Sequence, residues 1–131
     1  MKNHLNQLSR TWALGLTLWL CMSAALFAQT TSFPSKALKI VVPNAAGGAA
    51  DITARTVGQK LSEALGQPVV IENKPSAGGI VAGEQVARSD PDGHSMLLIS
   101  SGTAVSASLF KTLPFDTVKD FIPVSKLATF D

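Results

Sequence analysis

Cysteine, tyrosine and histidine are scarce in this 131-residue chain, and their scarcity excludes several classes of function. The chain has one cysteine, Cys21, no tyrosine, and only the histidines His4 and His94. A single thiol forms no intrachain disulfide and no thiolate metal site. The motifs G-x-G-x-x-G, G-x-x-x-x-G-K-[ST] and G-x-S-x-G are also absent, which argues against dinucleotide, phosphate-loop and serine-hydrolase chemistry. We therefore predict that the protein is not an enzyme and has no catalytic residue, metal or cofactor.

Charge is also sparse, at 15% of residues against 46% hydrophobic residues, which excludes a disordered, solvated tail. The formal net charge of +2 comes from Lys2 and Arg10, because the first 28 residues contain no acid. The remaining residues hold nine basic and nine acidic side chains. The sequence shows no basic stripe, so no nucleic-acid partner is expected.

The first 28 residues have the order of a secretory signal peptide: a positive start, a short apolar run over Trp12–Met22, and small residues after it. The apolar run is shorter than the roughly 20 residues that a membrane-spanning helix needs. We predict cleavage after Ala28, with Ala25 as the rival position and a retained membrane anchor as the alternative. Cys21 is then removed with the signal, and a cysteine-free chain exported to the bacterial periplasm remains.

Residues 29–131 alternate between short apolar runs and helical periodicity, which predicts an α/β fold with a parallel sheet. The apolar runs are continuous, as expected for strands that are covered by helices on both faces. The predicted strands are Leu38–Val42, Pro68–Glu72, Ser95–Ile99 and Phe121–Leu127, and the predicted helices are Ala50–Leu65, Ile80–Arg88 and Ala104–Phe110. These elements do not complete a sheet, so we interpret residues 29–131 as a partial α/β lobe.

Ligands of open parallel sheets bind beyond the carboxyl ends of the strands, where three small-residue loops are predicted: Asn44–Gly48, Ser76–Gly79 and Ser100–Thr103. In the first loop, Gly47 and Gly48 expose the backbone just before a helix, whose free N–H groups form an anion site. The loop contains no Lys or Arg, which favours a carboxylate over a polyphosphate. The alternative is that the two glycines only permit a tight turn.

Three side chains near these loops are candidates for the same site. Asp51, in the first helical turn, either accepts backbone N–H bonds as a helix-start residue or orders the loop and a ligand-bridging water. Ser101 and Thr103 can donate hydroxyl hydrogen bonds, although such a stretch is also common in ordinary loops. His94 directly follows the predicted turn Asp90–Gly93, at the opposite end of the sheet, and is interpreted as a surface turn residue.

An ordered series of motifs runs across residues 38–126. The motifs are Ile40-Val41-Val42-Pro43, Gly47-Gly48, Asp51, Leu65-Gly66-Gln67-Pro68, Glu72-Asn73-Lys74-Pro75, Ala77-Gly78-Gly79, Pro91-Asp92-Gly93, Ser101-Gly102-Thr103 and Leu113-Pro114-Phe115-Asp116. In this order they resemble the motifs of the tripartite tricarboxylate transporter substrate-binding proteins, also called the Bug or TctC-like family. One departure is Asn44-Ala45-Ala46, where the family commonly has an aromatic residue and prolines.

The resemblance implies a monomeric, two-lobed type II periplasmic-binding-protein fold that delivers small carboxylates to the large and small subunits of a membrane permease. The expected ligands are dicarboxylates, tricarboxylates, acidic amino acids or aromatic acids. Carried over by position, the ligand-binding residues are Ala45, Gly47, Gly48, Asp51, Ser101 and Thr103. Family members are more than twice this length, so residues 29–131 are expected to form only the first part of lobe one.

Three hypotheses of different class follow. The first is a solute-binding protein for a carboxylate, or a fragment of one. The second is a fragment of a cofactor-binding α/β enzyme, which the export signal and the missing phosphate fingerprint disfavour. The third is a truncated product without independent activity, since an incomplete sheet exposes an edge and an uncovered face.

Overall fold

A computed structural model describes residues 32–129 of the chain, and residues 34–129 form one compact unit. The predicted signal peptide, Cys21 and both tryptophans lie outside the described residues. The elements are strands β1 (Leu38–Val42), β2 (Val69–Asn73) and β3 (Ser95–Leu97), helices α1 (Ala49–Leu65), α2 (Ile80–Ala87) and α3 (Ser101–Leu109), and a short 3-10 helix at Ala77–Gly79. No helix within residues 32–129 is both long and apolar enough to cross a membrane.

The three strands form one parallel sheet in the order β2-β1-β3, which confirms the predicted fold class. Ile40, in the central strand, lies opposite Ile71 of β2 and Met96 of β3. Each strand is joined to the next by a helix, as parallel pairing requires. All three strands therefore end at the same edge of the sheet, which we call the carboxyl edge.

One face of the sheet is covered by α1. Ile40 and Val42 are buried against Ala54, while Val41, on the opposite face by strand alternation, is fully buried as well. Gly58 allows α1 to approach β2 closely, because a β-carbon there would lie 3.1 Å from Ile71 Cδ1. The apolar run Ile40–Val42 of β1 is thus explained by burial on both faces.

The other face is contacted by α2, which carries an internal glycine for a specific reason. The ring of Phe115 lies so close to Gly83 that any β-carbon there would overlap it. Phe115 is buried, and its ring meets that of Phe121 edge to face, with centroids 5.5 Å apart. Gly83 therefore permits the segment after α3 to pack on α2.

Three details of the sequence prediction are wrong. Ser101, predicted in a loop, begins α3, which starts three residues before the predicted Ala104. Residues 121–127 form no strand, and β3 ends at Leu97 rather than Ile99. Short apolar runs without a pairing partner within the described residues give no strand, because strand formation depends on a neighbour more than on local composition.

Candidate functional site

Three chain segments that follow the strands meet at the carboxyl edge. The residue at their junction is Gly79, which ends the 3-10 helix with φ of +70°. A β-carbon at Gly79 would lie 2.9 Å from both Pro43 Cβ and Thr103 Oγ1. This close approach confirms the expectation that the loops after β1, β2 and β3 lie together.

The loop between β1 and α1 exposes its backbone to solvent. Residues 44–48 are exposed, and Gly48 is the N-cap of α1 without any side-chain hydrogen bond to cap the helix. The first N–H donated along the helix comes from Ile52 to the Gly48 carbonyl, so the N–H groups of Ala49 and Ala50 have no carbonyl within the helix. These donors and the positive end of the helix dipole suit a carboxylate.

Asp51 lies beneath this loop and is nearly completely buried, with 3% of its surface exposed. Its Oδ2 accepts hydrogen bonds from Gly47 N at 2.8 Å and from Arg55 Nε at 3.0 Å. Its Oδ1 accepts one from Asn73 Nδ2 at 3.0 Å. The bonds from Arg55, Gly47 and Asn73 lower the pKa of Asp51 from 3.8 to about 2. The carboxylate is therefore ionised, neutralised by Arg55 and directed at the loop, like the N3 acid of a capping box.

Asn73 is a residue that the sequence reasoning missed. Its Nδ2 donates to the Asn44 carbonyl at 3.1 Å as well as to Asp51, and its Oδ1 accepts from Arg55 Nη2 at 3.2 Å. Asn73 is the last residue of β2 and pairs with Val42, the last residue of β1. A polar side chain at the end of the strand next to β1 was the signal that could have identified it.

Ser101 and Thr103 both lie in the first turn of α3, but they differ in their exposure to solvent. Ser101 is exposed, whereas Thr103 is only 2% exposed. The buried Thr103 Oγ1 has no hydrogen-bond partner within residues 32–129. Ser106 Oγ, one turn later, donates to the Thr103 carbonyl at 2.7 Å. The N-cap residue Ser100 makes no side-chain cap either, so this second helix N-terminus also presents unpaired N–H groups.

His94 lies at the opposite edge of the sheet, as predicted, but it is buried rather than at the surface. Its Nε2 accepts a hydrogen bond from Ser35 N at 3.2 Å, which ties the entry to β1 against the start of β3. The turn prediction is confirmed, since Asp92 Oδ1 accepts from His94 N at 3.0 Å. Asp92 also pairs with Lys36 at 2.7 Å, and both side chains line a cavity of about 390 Å³.

No cluster of three or more His, Cys, Asp or Glu side chains in the described part of the chain is suited to holding a metal ion. Two pairs of opposite charges lie at the carboxyl edge, Asp51 with Arg55 and Glu72 with Lys74, and both are already satisfied. The polar groups that the edge offers to a ligand are hence backbone N–H groups and hydroxyls. Groups of this kind bind and orient an anion.

Comparison with known proteins agrees with this chemistry. The profile of the tripartite tricarboxylate transporter family receptor, TctC, matches residues 53–131. A UPF0065 protein of Bordetella pertussis is 43% identical over 111 residues, which are 82% of this chain and 34% of that protein. The structure of MatC from Rhodopseudomonas palustris with bound malate is 41% identical, with a TM-score of 0.68, over 72% of this chain and 33% of MatC.

The structure of the periplasmic binding protein BugD is also similar, at 42% identity and a TM-score of 0.60 over 64% of this chain and 28% of BugD. The chain thus spans about a third of the length of the proteins it matches. The resemblance stated from the motifs is confirmed by both the sequence and the structural matches.

Proposed function

The chain belongs to the tripartite tricarboxylate transporter receptor family, TctC, and from this premise we propose that it captures a small carboxylate for a membrane permease. Members of this family are periplasmic solute-binding receptors rather than enzymes. Export of this chain through cleavage of residues 1–28, and delivery of its ligand to permease subunits, are parts of the proposal. MatC holds malate in its structure, so malate is the first ligand to test.

The observation that carries the proposal is the uncapped N-terminus of α1 at the carboxyl edge. Gly48 and the exposed residue Ala45 leave the approach to the first-turn amides open. The basic side chains Arg55 and Lys74 at this edge are already paired, with Asp51 and Glu72 respectively. A carboxylate is therefore bound by amides and the helix dipole, an arrangement that suits a small, singly charged group.

The start of α3 supplies a second set of donors to the proposed site. Ser101 is exposed, and the buried Thr103 Oγ1 lacks a partner within residues 32–129. A buried hydroxyl without a partner is costly, and a ligand oxygen or a bridging water relieves that cost. Ala45, Gly47, Gly48, Asp51, Ser101 and Thr103 form the proposed site, with Gly47 and Asp51 shaping the loop rather than contacting the ligand.

The experiment is a malate titration of the isotope-labelled chain, recovered from the periplasm of a bacterial host and followed by amide NMR. We expect the amide signals of Gly48, Ala49 and Ala50 to shift on binding. The dissociation constant should be about 1–10 mM, worth roughly 3–4 kcal/mol, because this chain matches only a third of its relatives and offers few contacts. The N-terminal residue of the recovered chain tests cleavage after Ala28.

The diamide of malate is the matched control, since it keeps the shape of malate and removes its charge. Gly48→Val is the matched variant. Its backbone φ of −80° suits valine, and a β-carbon there meets only the Ala45 carbonyl at an ordinary 3.6 Å. The variant should fold and lose malate binding because its side chain covers the amides. Absence of shifts at 50 mM malate, or equal shifts with the diamide, would refute the proposed site.

A further inference from the structure

Asn73 occupies a central position among the polar groups beneath the β1–α1 loop. Its side chain makes three hydrogen bonds, one to the Asn44 carbonyl in the loop and two to α1, at the Asp51 carboxylate and the Arg55 guanidinium. All of its polar atoms match their partners in this orientation. A flipped amide would direct its oxygen at the oxygens of Asn44 and Asp51, so the network fixes one orientation.

The Asp51 carboxylate is a potential competitor of any ligand. An acid in the first turn of a helix is attracted by the unpaired N–H groups of that turn and by the helix dipole. Here it is drawn away from Ala49 and Ala50 by Asn73 on Oδ1 and by Arg55 and Gly47 on Oδ2. The tethered carboxylate leaves the first-turn amides open.

We propose that Asn73 is the positioning residue of the carboxylate site: by anchoring Asp51 and the Asn44 carbonyl to the end of β2, it keeps the β1–α1 loop in its anion-accepting form. This inference rests on the proposed function for its ligand, but its structural part is measurable without any ligand. Asn73 acts through Asp51 and the loop and makes no contact with the ligand.

The test uses two variants that remove, in different ways, the hydrogen bonds that Asn73 Nδ2 donates to the Asn44 carbonyl and to Asp51. Asn73→Asp is isosteric, and it places a second carboxylate beside Asp51 and the Asn44 carbonyl. Asn73→Ala removes the same hydrogen bonds without adding charge. The charged groups around this side chain are Asp51 and Arg55 from α1, while the neighbouring Glu72 alternates to the other face of β2.

A matched control is available on that other face. Gln85 Nε2 donates to Glu72 Oε2 at 2.9 Å. Gln85→Glu therefore makes the same amide-to-carboxylate change beside the half-buried carboxylate of Glu72, away from the loop. Lys39 and Lys74 also bond Glu72. A general effect of added charge or lost stability would appear in this control as well.

The first readout is the Gly47 amide proton, which reports its hydrogen bond to Asp51 directly. At pH 7 we expect Asn73→Asp to lower the hydrogen-exchange protection of Gly47 by about tenfold and Asn73→Ala by about threefold to fivefold, as expected for losing one or two hydrogen bonds to a charged group. Gln85→Glu should leave Gly47 within twofold of the unmodified chain.

The second readout is the pH profile. Two adjacent carboxylates raise the pKa of one of them, and the protonated acid at position 73 donates a hydrogen bond again. Protection of Gly47 in Asn73→Asp should therefore recover below about pH 5, whereas Asn73→Ala should stay low at every pH. A merely structural loss would show no such recovery. Unchanged Gly47 protection in both variants, or equal changes in Gln85→Glu, would overturn the proposal.

Malate titration separates this proposal from the proposed function. Binding that weakens at least fivefold in Asn73→Ala and stays constant in Gln85→Glu supports both. Unchanged malate binding despite a disturbed Gly47 overturns the positioning role and leaves the proposed function intact. If the unmodified chain does not bind malate, the proposed function fails, and the Gly47 pH profile alone decides whether Asn73 positions Asp51.

Discussion

The two helix N-termini at the carboxyl edge, those of α1 and α3, are built in opposite ways. The β1–α1 loop is exposed and held from beneath, where Asp51 accepts a hydrogen bond from Gly47 N and Asn73 donates one to the Asn44 carbonyl. The start of α3 is held by close packing, with Thr103 and Ser106 buried against Gly78 and Gly79. A loop of small residues without side chains to pack needs a polar tether, whereas a helix start that packs on glycines needs none.

The largest effect is expected from adding a side chain at the packed junction. Gly79→Ala places a β-carbon 2.9 Å from Pro43 Cβ and Thr103 Oγ1 at a φ of +70°. Left-handed strain and overpacking together should lower the free energy of unfolding by about 2–4 kcal/mol. Urea denaturation followed by circular dichroism measures this loss.

Two alanine controls divide that loss into its causes. Gly47→Ala has a similar φ of +84° but open space around the new β-carbon, so it should cost about 1–2 kcal/mol through backbone strain alone. Gly48→Ala, at a φ of −80°, should cost about 0.5 kcal/mol because alanine is a poorer N-cap than glycine. Equal losses at Gly79 and Gly47 would show that the junction is not tightly packed.

The hydrogen bonds of the Asp51 carboxylate should make the stability of the protein depend on pH under acidic conditions. Because folding lowers the pKa of Asp51 from 3.8 to about 2, the folded state is stabilised above the higher value and loses this stabilisation as the pH falls toward the lower one. Asp51→Asn should therefore reduce the urea midpoint at pH 7 and flatten its dependence on pH between about 4 and 2. Glu63→Gln, in an exposed pair with Lys60, should leave that slope nearly unchanged. If the urea midpoint of Asp51→Asn kept the pH dependence of the unmodified chain, the hydrogen bonds of Asp51 would not be what stabilises the β1–α1 loop.

The smallest stability change is expected at Thr103, where function should respond instead. Thr103→Val replaces a buried hydroxyl that has no hydrogen-bond partner within residues 32–129 by a methyl group, which should leave stability unchanged or raise it by up to about 1 kcal/mol. The same variant should weaken malate binding by about fivefold, the equivalent of one hydrogen bond. Ser106→Ala, which loses the bond to the Thr103 carbonyl, should cost about 1 kcal/mol. A destabilised Thr103→Val variant with full malate affinity would contradict a ligand role for this hydroxyl.

Local patterns predicted the fold well where each element carries its own signals. Periodicity defined α1 to within one residue, and Gly66 ends it with a φ of 69°, as a helix stop should. The loop over residues 44–48 and the convergence of the three loops at one edge also followed from strand order. These features depend on short stretches of chain, which a single sequence describes adequately.

Features that depend on distant partners were missed. The hydrogen bonds of Asn73 join residues 22 and 29 positions away, and the buried His94 accepts a hydrogen bond from Ser35 N, 59 positions away. The need for glycine at position 83 depends on Phe115, 32 positions away along the chain. Ser101 was placed in a loop because small polar residues favour helix starts and loops alike. Periodicity and turn rules contain no information on such pairs.

The central position of β1 has a consequence for the time course of folding. The strand that is made first pairs with partners that follow it by about 31 residues on one side and 56 on the other. Because the chain is synthesised from its N-terminus, both edges of this most apolar strand stay unpaired until β2 and then β3 have left the ribosome. Such long-range strand pairing is slow and leaves an aggregation-prone strand edge exposed. The yield of folded protein should thus depend on keeping residues 38–42 unaggregated until residue 97 has been made.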